Sequence, residues 1–337
     1  MLSRTAESFF WIGRYIERAE YTARFVNVHY HLLTEIATSE DQSNIWTRYL
    51  EDTGELESYQ TLYGEVLTKP VMEFVTLSRD NPDSLTNLIA AARNNARGIQ
   101  DQLSSEVWHF MNDFYFSLKG KTDMDLWADT HDLLRHVRNT CYTLDGVMGG
   151  TMVRDEGWNF YRLGKNIERG GRTARLIDIP VLSEPTTEPK RISEYHQCLA
   201  ALKSASAFEA YRKFYSAQLV PKKIVRFLLF HNRFPRSVRF TTTQTSELLE
   251  LLAGGTRRAE TRQTIRLAGA LAADLEFGSL EEVYSTGLSA FLAQVLEQLD
   301  QLSNLVAQAF FRTPGYSETS LSSEPHSKPQ FSQVQQH

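Results

Sequence analysis

The sequence predicts an all-α fold in which two related helical bundles, with roughly 10 to 12 helices in total, pack through internal pseudo-symmetry. Apolar residues recur at spacings of three and four over long segments, whereas the short alternating runs that mark β-strands are almost absent. Proline, which interrupts helices, accounts for only 10 of the 337 residues. Because 42% of the residues are hydrophobic, a chain of this length can bury a full core without disulfides or metal ions.

The first helix is predicted most directly, because Phe9, Ile12, Ile16, Ala19 and Ala23 follow one another at helical spacing and form one apolar stripe. The same periodicity predicts ten further helices, near residues 41–52, 56–78, 82–116, 126–148, 156–178, 191–217, 221–231, 236–253, 255–276 and 279–311. Helices therefore account for most of the chain up to residue 311.

A helix near the N-terminus is repeated in the second half of the chain. Nine of its residues, Phe9, Phe10, Gly13, Ile16, Glu17, Arg18, Thr22, Ala23 and Arg24, reappear 151 positions later as Phe160, Tyr161, Gly164, Ile167, Glu168, Arg169, Thr173, Ala174 and Arg175. A second echo, offset by 153 positions, relates Val71, Phe74, Pro82, Ser84 and Leu85 to Ile224, Phe227, Pro235, Ser237 and Val238. The duplication covers whole helical units, so we expect a pseudo-twofold axis to relate the halves.

The boundary between the halves is predicted near residue 150. The glycine-rich run Gly146–Gly150 is typical of a helix end, and Asp155 before Trp158 is typical of a new helix start. We therefore assign residues 1–150 to a first repeat half and residues 151–312 to a second. Residues 313–337 are rich in Ser, Pro, Gln and His and have few core-forming residues, which predicts a disordered tail.

Composition argues against several classes of protein. A net charge of −5 and a pI near 6.0 argue against nucleic acid as a partner. The two cysteines, Cys141 and Cys198, have neither disulfide-framework nor zinc-site spacing, so we expect a reducing, cytoplasmic compartment. No segment has the roughly 18 uncharged apolar residues that a membrane span needs. The apolar run Phe9–Ile12 is also too short for the core of a signal peptide.

The repeated helix carries a polar edge beside its apolar stripe. Gly13, Glu17 and Arg24 align along this edge in the first copy, and Glu168 and Arg175 do so in the second. A glycine inside a helix costs about 1 kcal/mol relative to alanine. Its repeated place four residues before the glutamate therefore indicates a close helix crossing or a ligand against the backbone.

Two interpretations of this edge stay open. It is either an ion network that fixes how the halves dock, or a cleft that binds a ligand carrying amine and carboxylate or phosphate groups, with Glu17 and Glu168 as the catalytic candidates. A di-metal site is a weaker alternative, because Glu17-x-x-Glu20 lacks the Glu-x-x-His pair of such sites, and no metal ligand is assigned. The residues assigned to the network or ligand site are Arg14, Glu17, Arg18, Arg24, Lys165, Glu168, Arg169 and Arg175.

Two further basic groups are candidates for anion binding. Arg93 and Arg97 lie four residues apart and share a helix face. Residues 210–246 contain eight cations, including Arg233 and Arg236, with seven aromatic residues and no acidic one. This basic block could bind phosphate, RNA or an acidic partner, and the alternative is that its cations pair with glutamates of other helices. The motifs of nucleotide-binding and common hydrolytic enzymes are missing, so no cofactor is predicted.

Several motifs together resemble the landmarks of one family. They are Met1–Glu7, Phe10–Glu20, Asn81–Ser84, Ala92–Arg97, Ser105–Trp108, Glu156–Trp158, Leu163–Arg169 and Pro235–Val238. The chain thereby resembles, over roughly residues 1 to 312, the alpha-E domain family (DUF403), a predicted α-helical domain named for its Glu-Arg motif. It departs from that pattern at Asn94, where Glu is usual, and at Gly170–Gly171, where Ala and an acidic residue are typical.

The resemblance implies a role but no established activity. Members of this bacterial family are encoded beside, or fused to, ATP-grasp amide ligases, transglutaminase-like proteins and a proteasome-like peptidase. We therefore expect a helical accessory or partner subunit of an ATP-grasp carboxylate-amine ligase system that makes or modifies peptides. An ATP-grasp ligase-type protein and a transglutaminase-like protein are the expected partners. The alternatives are an enzyme in its own right, using Glu17 and Glu168 in an inter-repeat cleft, and a purely structural scaffold.

Overall fold

A computed structural model describes residues 1–36, 39–184, 192–215, 218–255 and 258–311. Within these ranges the chain is helical and contains no β-strand, which confirms the all-α class. The tail predicted at 313–337 lies outside the described residues. The α-helices are α1 (Ser3–Ile36), α2 (Ser39–Thr53), α3 (Leu56–Tyr63), α4 (Thr68–Thr76), α5 (Leu85–Gly98), α6 (Ser105–Leu118), α7 (Asp123–Ala128), α8 (Thr130–Thr151), α9 (Glu156–Ile177), α10 (Pro180–Ser183), α11 (Ile192–Ser204), α12 (Phe208–Tyr215), α13 (Pro221–Phe230), α14 (Val238–Ala253), α15 (Ala259–Phe277), α16 (Leu280–Thr286) and α17 (Leu288–Val306).

The described residues thus form seventeen α-helices, so the predicted total of 10 to 12 was wrong. The segments predicted at 56–78, 82–116, 126–148, 191–217 and 279–311 are each divided into two helices, and α10 was not predicted. Gly64 after α3 and Gly287 after α16 have φ of +75° and +96°, a conformation that ends a helix and that other residues rarely adopt. Ser104 starts α6 afresh, because its side chain accepts a hydrogen bond from the Val107 amide at 3.3 Å.

Helices α1 and α9 form the centre of the molecule. Their mutual contact is the most extensive between any two elements of the described residues. Helix α1 also packs against α5 and α8, and α9 packs against α14 and α17. Because α1 and α9 each contact helices of both halves, their apolar sides belong to one continuous core that runs across the predicted boundary.

That boundary falls at the junction of α8 and α9. Helix α8 includes the glycine-rich run and ends at Thr151, directly after it, which agrees with the helix end predicted near residue 150. Helix α9 begins at Glu156, and the Asp155 side chain caps it by accepting from the Trp158 amide at 3.1 Å. The assignment of the two sides to separate repeat halves stays a prediction.

Two loops that lie 152 residues apart in the chain are held by the same kind of side chain. Tyr59 donates its hydroxyl to the Glu65 carbonyl at 3.1 Å between α3 and α4. Tyr211, 152 residues later, donates to the Gln218 carbonyl at 3.1 Å between α12 and α13. Each hydroxyl also accepts from the backbone amide just before the next helix. Buried tyrosines therefore set the entry of α4 and of α13 in the same way.

The echo at an offset of 153 residues also has a structural counterpart. Ser84 caps α5 by accepting from the Asn87 amide at 3.3 Å, and Ser237 caps α14 by accepting from the Phe240 amide at 3.1 Å. Both serines follow a proline-containing turn, and both capped helices pack onto the central pair, α5 onto α1 and α14 onto α9. No helix in the described ranges is long and apolar enough to cross a membrane.

Candidate functional site

The two Glu-Arg motifs meet where α1 crosses α9. A Cβ atom on Gly13 would collide with the Tyr161 carbonyl oxygen, and one on Gly164 would collide with the Phe10 carbonyl oxygen. The two contacts are reciprocal, because Phe10 and Tyr161, like the two glycines, are 151 residues apart. Glycine is required at both positions because the backbones touch, which answers the question raised by the sequence in favour of a close helix crossing.

Glu168 of α9 is surrounded by arginines from both central helices. Arg14 Nε and Arg18 Nε each donate at 2.8 Å, and Arg172 Nε donates at 2.9 Å from the next turn of α9. Arg18 reaches the second carboxylate oxygen as well, at 3.1 Å, and extends to Asp83 Oδ1 at 2.5 Å. Both oxygens of Glu168 thus accept from guanidinium donors, and the residue is only 4% exposed.

Glu17 of α1 has the reciprocal arrangement. Arg169 donates Nε and Nη2 to its two oxygens at 2.7 Å each, and Arg236 from the start of α14 adds a third bond at 2.9 Å. Arg236 also donates to Glu20 at 2.9 Å, and Glu20 pairs with Arg24 on the same helix. Glu17, Glu20 and Arg236 are all buried. Arg236 is therefore occupied by the chain's own carboxylates rather than open to an outside anion.

The arginines keep both glutamates ionised. Burial alone would raise the pKa of Glu17, but Arg169 and Arg236 outweigh it and hold that pKa far below its ordinary value. Burial likewise opposes ionisation of Glu168, yet Arg18, Arg14 and Arg172 outweigh it and hold its pKa well below its ordinary value. A carboxylate with every oxygen bonded and a strongly lowered pKa cannot take up a proton near pH 7. Glu17 and Glu168 thus serve as fixed anions that position arginines.

The remaining predicted network residues lie around this crossing. Arg24 is 4% exposed and also donates to the Ser204 carbonyl at 2.5 Å. Lys165 forms an ion pair with Asp145, which also accepts from the Tyr161 hydroxyl at 3.0 Å. Burial and the neighbouring Arg169 lower the pKa of Lys165, and its two acidic neighbours oppose that shift. Lys165 is therefore part of the network on the Glu17 side.

The other predicted anion-binding residues are dispersed. Arg93 donates to Asn112 Oδ1 at 2.9 Å and lies over the rings of Trp108, Tyr115 and Phe116, at 4.9 Å from the Tyr115 ring centre. Arg97 and Arg233 are exposed on separate helical units, and Arg236 belongs to the Glu17 network. The structure brings none of these four together as one site. Arg93 instead has the environment of a cation held by aromatic rings.

The basic block of residues 210–246 is partly neutralised on the surface. Lys222 and Arg226 pair with Glu281 at 3.2 and 3.7 Å, and Arg239 pairs with Glu276 at 3.0 Å. Arg212 and Lys223 instead lie over aromatic rings of their own segment, with centroid distances of 5.6 and 5.9 Å. The pairing interpretation therefore applies to Lys222, Arg226, Arg236 and Arg239, and binding of an anion or acidic partner by the others stays a prediction.

A polar cavity of about 190 Å³ opens beside Glu168. Its charged lining consists of the four arginines Arg14, Arg18, Arg172 and Arg175 and the four carboxylates Asp52, Asp83, Glu168 and Asp300. Arg14, Arg18 and Arg172 are bonded to Glu168, as described above. Arg175 forms no direct ion pair or hydrogen bond with any other described residue, although burial and Arg172 lower its pKa. Among the four arginines of the lining, it is the one with no carboxylate partner in the described part of the chain, which leaves its guanidinium available to a ligand.

A second, largely apolar cavity of about 330 Å³ adjoins the polar one. Both cavities are lined by Asp52, Thr53, Arg172 and Arg175, so they lie side by side, and together we call them the cleft. The cleft is lined by residues of α1, α2, α9, α11 and α17. The aromatic part of the lining is Tyr21, Phe25, His29 and Tyr49. An apolar cavity that continues into a small group of charged side chains is the usual form of a small-molecule site.

Asp52 lies where the two parts of the cleft join. Burial raises its pKa to about 6, although Arg48 and Arg175 act in the opposite direction. The sequence analysis did not identify Asp52, Arg172 and Asp300 as site residues, because none of them is one of the positions that match between the two copies of the repeated helix. Arg172 had a usable signal, since it follows Glu168 by four residues on one helix face. Asp52 and Asp300 had none, because they reach the cleft from α2 and α17.

Metal binding and cysteine chemistry find no support at this site. Among the described residues no group of three His, Cys, Asp or Glu side chains has the arrangement of a metal site. His29 is stacked on Phe25 with ring centres 3.8 Å apart, and burial lowers its pKa to about 4. Cys141 and Cys198 are buried, and burial raises the pKa of both thiols, which makes them unreactive.

Comparison with known proteins gives one family match. Residues 1–311 match the model of Alpha-E, described as a predicted alpha-helical domain with a conserved ER motif. Similar curated proteins are an uncharacterised protein of Mycobacterium bovis and two of Mycobacterium tuberculosis. Each is 25% identical to this chain, and the alignment covers 87% of this chain and 35% of the relative. The chain thus spans about a third of the length of these relatives. No solved structure gives a significant match.

Proposed function

The chain belongs to the Alpha-E family, and from this premise we propose that it is an accessory subunit of an ATP-grasp carboxylate-amine ligase system that binds a small ligand in its cleft. The ligand has an acidic group, an amine and an apolar part, as an amino acid or a short peptide does. The observation that carries the proposal is the joined cleft, in which Arg175 and Asp52 lie between a charged cavity and an aromatic one.

The charges of the polar cavity favour a ligand that carries both signs. Four arginines face four carboxylates there, so a strongly charged ligand of either sign would meet repulsion. Arg175 is suited to an acidic group, whereas Asp52 and Asp300 are suited to an amine. The aromatic cavity offers about 330 Å³, which accommodates an amino acid side chain. Carboxylate-amine ligases act on molecules with these groups, which links the cleft to the expected partner.

A catalytic role for Glu17 and Glu168 is less well supported by the same geometry. Each is enclosed by at least two guanidinium groups, and neither has an oxygen left to touch a substrate. In the proposal Glu168 holds Arg14, Arg18 and Arg172 at the edge of the polar cavity, and Glu17 holds Arg169 and Arg236 on the other side of the crossing. The ion network and the ligand cleft, which the sequence left as alternatives, are then two parts of one site.

The proposal includes a pseudo-twofold relation between two repeat halves. It is supported by the reciprocal glycine contacts, by the reciprocal pairs Arg18–Glu168 and Arg169–Glu17, and by the matching serine caps of α5 and α14. In this proposal one helical unit was duplicated and a few positions, such as Glu20 and Gly171, later diverged. The cleft is then found only on the Glu168 side of the crossing. The larger size of the relatives is compatible with further domains that act beside this one.

Ligand binding is tested by calorimetry of the purified chain with leucine, phenylalanine and dipeptides that end in them. We expect binding that Ile45→Trp, which fills the apolar cavity, abolishes. Ile265→Trp is the matched control, because Ile265 is also partly buried but does not line the cleft. If none of these compounds binds the wild-type protein, the cleft does not have the proposed function.

The partnership is tested separately, with a tagged chain expressed in its native host. We expect an ATP-grasp ligase-type protein, and with it a transglutaminase-like protein, to co-purify. The double substitution Arg212→Glu and Lys213→Glu probes the basic block as the docking surface, because both side chains are on the short helix α12. Capture that is unchanged by this substitution excludes that surface, and recovery of no ligase excludes the accessory role.

A further inference from the structure

The two copies of the repeated helix differ at one position beside the network. Glu20 of α1 corresponds, 151 residues later, to Gly171 of α9. In the first copy the Glu20 carboxylate lies between Arg24 and Arg236 and pairs with both. In the second copy there is no side chain at this place. The space lies on the wall of the polar cavity, because Gly171 is one of its lining residues.

Arg24 and Arg175, which follow Glu20 and Gly171 by four residues, extend in the same direction along their helices. Arg24 folds back along α1 by four residues to meet Glu20. Arg175, its counterpart, folds back along α9 so that its Nη1 lies 3.2 Å from where a Cβ on Gly171 would stand. Arg175 therefore points to the place of a carboxylate that this half lacks. Unlike Arg24, it has no direct ion pair or hydrogen bond among the described residues.

We propose that a carboxylate of the bound ligand occupies the space above Gly171 and pairs with Arg175, replacing the carboxylate that Glu20 supplies in the other half. The inference rests on the proposed ligand-binding function and narrows it to carboxylic acids bound in one orientation. The carboxylate enters the polar cavity and the apolar part of the same molecule lies among Tyr21, Phe25 and Tyr49 in the adjoining cavity.

The surrounding charges favour a carboxylate over a phosphate. One guanidinium group without a partner forms two parallel hydrogen bonds with a singly charged carboxylate. A phosphate with two negative charges would in addition lie near Asp52 and Asp300, which also line the cavity and repel the second charge. The four arginines of the lining are already balanced by its four carboxylates, so the lining offers no net positive charge to offset the second one.

The direct test is to return the missing carboxylate with Gly171→Glu. A Cβ at Gly171 meets only the flexible end of Arg175 within 4 Å, so the backbone of α9 leaves room for a side chain to start there. We expect affinity for phenylalanine or for the best-binding dipeptide to fall roughly tenfold or more, because the introduced carboxylate would then compete with the ligand for Arg175. Amidation of the ligand carboxylate should lower wild-type affinity by a similar factor, and phenyl phosphate should bind more weakly than the carboxylic acids.

A second measurement does not depend on the identity of the ligand. In the absence of ligand, Gly171→Glu should have a higher Tm than Gly171→Gln, and this difference should vanish when Arg175→Met is added to both. Binding that survives both ligand amidation and Gly171→Glu would overturn the inference while leaving the proposed function intact. A Tm difference that persists without Arg175, or tighter binding of phenyl phosphate, would also overturn it. Absence of binding by every compound would instead reject the proposed function itself.

Discussion

The two ends of the α1–α9 crossing carry the same motif but differ in what surrounds it. At the Glu17 end, Arg236 and Glu20 fill the space beside the motif with paired charges. At the Glu168 end, Asp83 and Gly171 stand at the corresponding positions, and Arg175 borders a cavity. The comparison indicates that paired charges fill one end of the crossing, whereas the other end, with Asp83 and Gly171 at the corresponding positions, borders a cavity.

Glu168→Gln should have the largest effect on stability. The substitution leaves Arg14, Arg18 and Arg172 buried around a neutral group, and removal of one partner of a buried ion pair costs roughly 3–5 kcal/mol. Urea unfolding followed by circular dichroism measures the change. Glu250→Gln is the control, because Glu250 is exposed on α14. If the free energy of unfolding decreases no more than in the control, the Glu168 carboxylate does not hold α1 and α9 together.

Gly13→Ala should destabilise the chain less than Glu168→Gln, by about 1–3 kcal/mol. The added Cβ would overlap the Tyr161 backbone and force α1 and α9 apart. Gly146→Ala is the matched control. Gly146 is also helical, but a Cβ there meets nothing within 4 Å, so alanine should stabilise α8 by about 1 kcal/mol. The two substitutions therefore have opposite signs in thermal unfolding. Equal effects would contradict the close crossing.

Glu55 marks a third difference between the halves, since the equivalent residue 152 positions later is Ala207. Burial, with help from Asp83, raises the pKa of Glu55 to about 7. The folded state therefore holds this proton more tightly than the unfolded chain, and the resulting stability is present below the ordinary pKa and lost as pH rises through 7. We expect Glu55→Gln to remove this loss, which is at most about 3 kcal/mol.

The measurement is Tm as a function of pH from 4 to 9 for both proteins. The Tm of the wild-type protein should decrease relative to that of Glu55→Gln between about pH 4.5 and 7, and above pH 7 the difference between the two Tm values should stay constant. Glu57→Gln, an exposed neighbour on α3, is the control and should follow wild type. Parallel curves over the whole range would show that Glu55 does not hold a proton at neutral pH.

The helical class and the close crossing were both accessible from the sequence. Helical spacing gave the class, and Gly13 and Gly164 in equivalent places indicated the crossing, because an internal glycine needs a reason. The helix count was wrong, since Gly64 and Gly287 interrupt segments whose apolar period continues on both sides.

The cleft was not predictable in the same way. Its residues come from α1, α2, α9 and α17, and Asp52 and Asp300 have no spacing relation to the repeated motif. Only the folded chain brings them beside Arg175. The role proposed for Gly171 could not be predicted either. A missing side chain at this position matters only because the structure places it in the lining of the polar cavity, next to the Arg175 guanidinium.

The smallest effect is expected near the cleft, at the ion pair between Arg48 and Asp178. The two atoms are 3.6 Å apart, and the side chains are 34% and 28% exposed. A double-mutant cycle with Arg48→Met and Asp178→Asn should give a coupling energy below about 1 kcal/mol that decreases further at high salt. The same cycle for Arg18 and Glu168 should give a larger value that salt barely changes, because that pair is buried. Arg48 lines the apolar cavity, so a weak pair there would leave this part of the lining free to move, while the pairs around Glu168 keep their arginines in place. A strong, salt-insensitive coupling between Arg48 and Asp178 would contradict this difference.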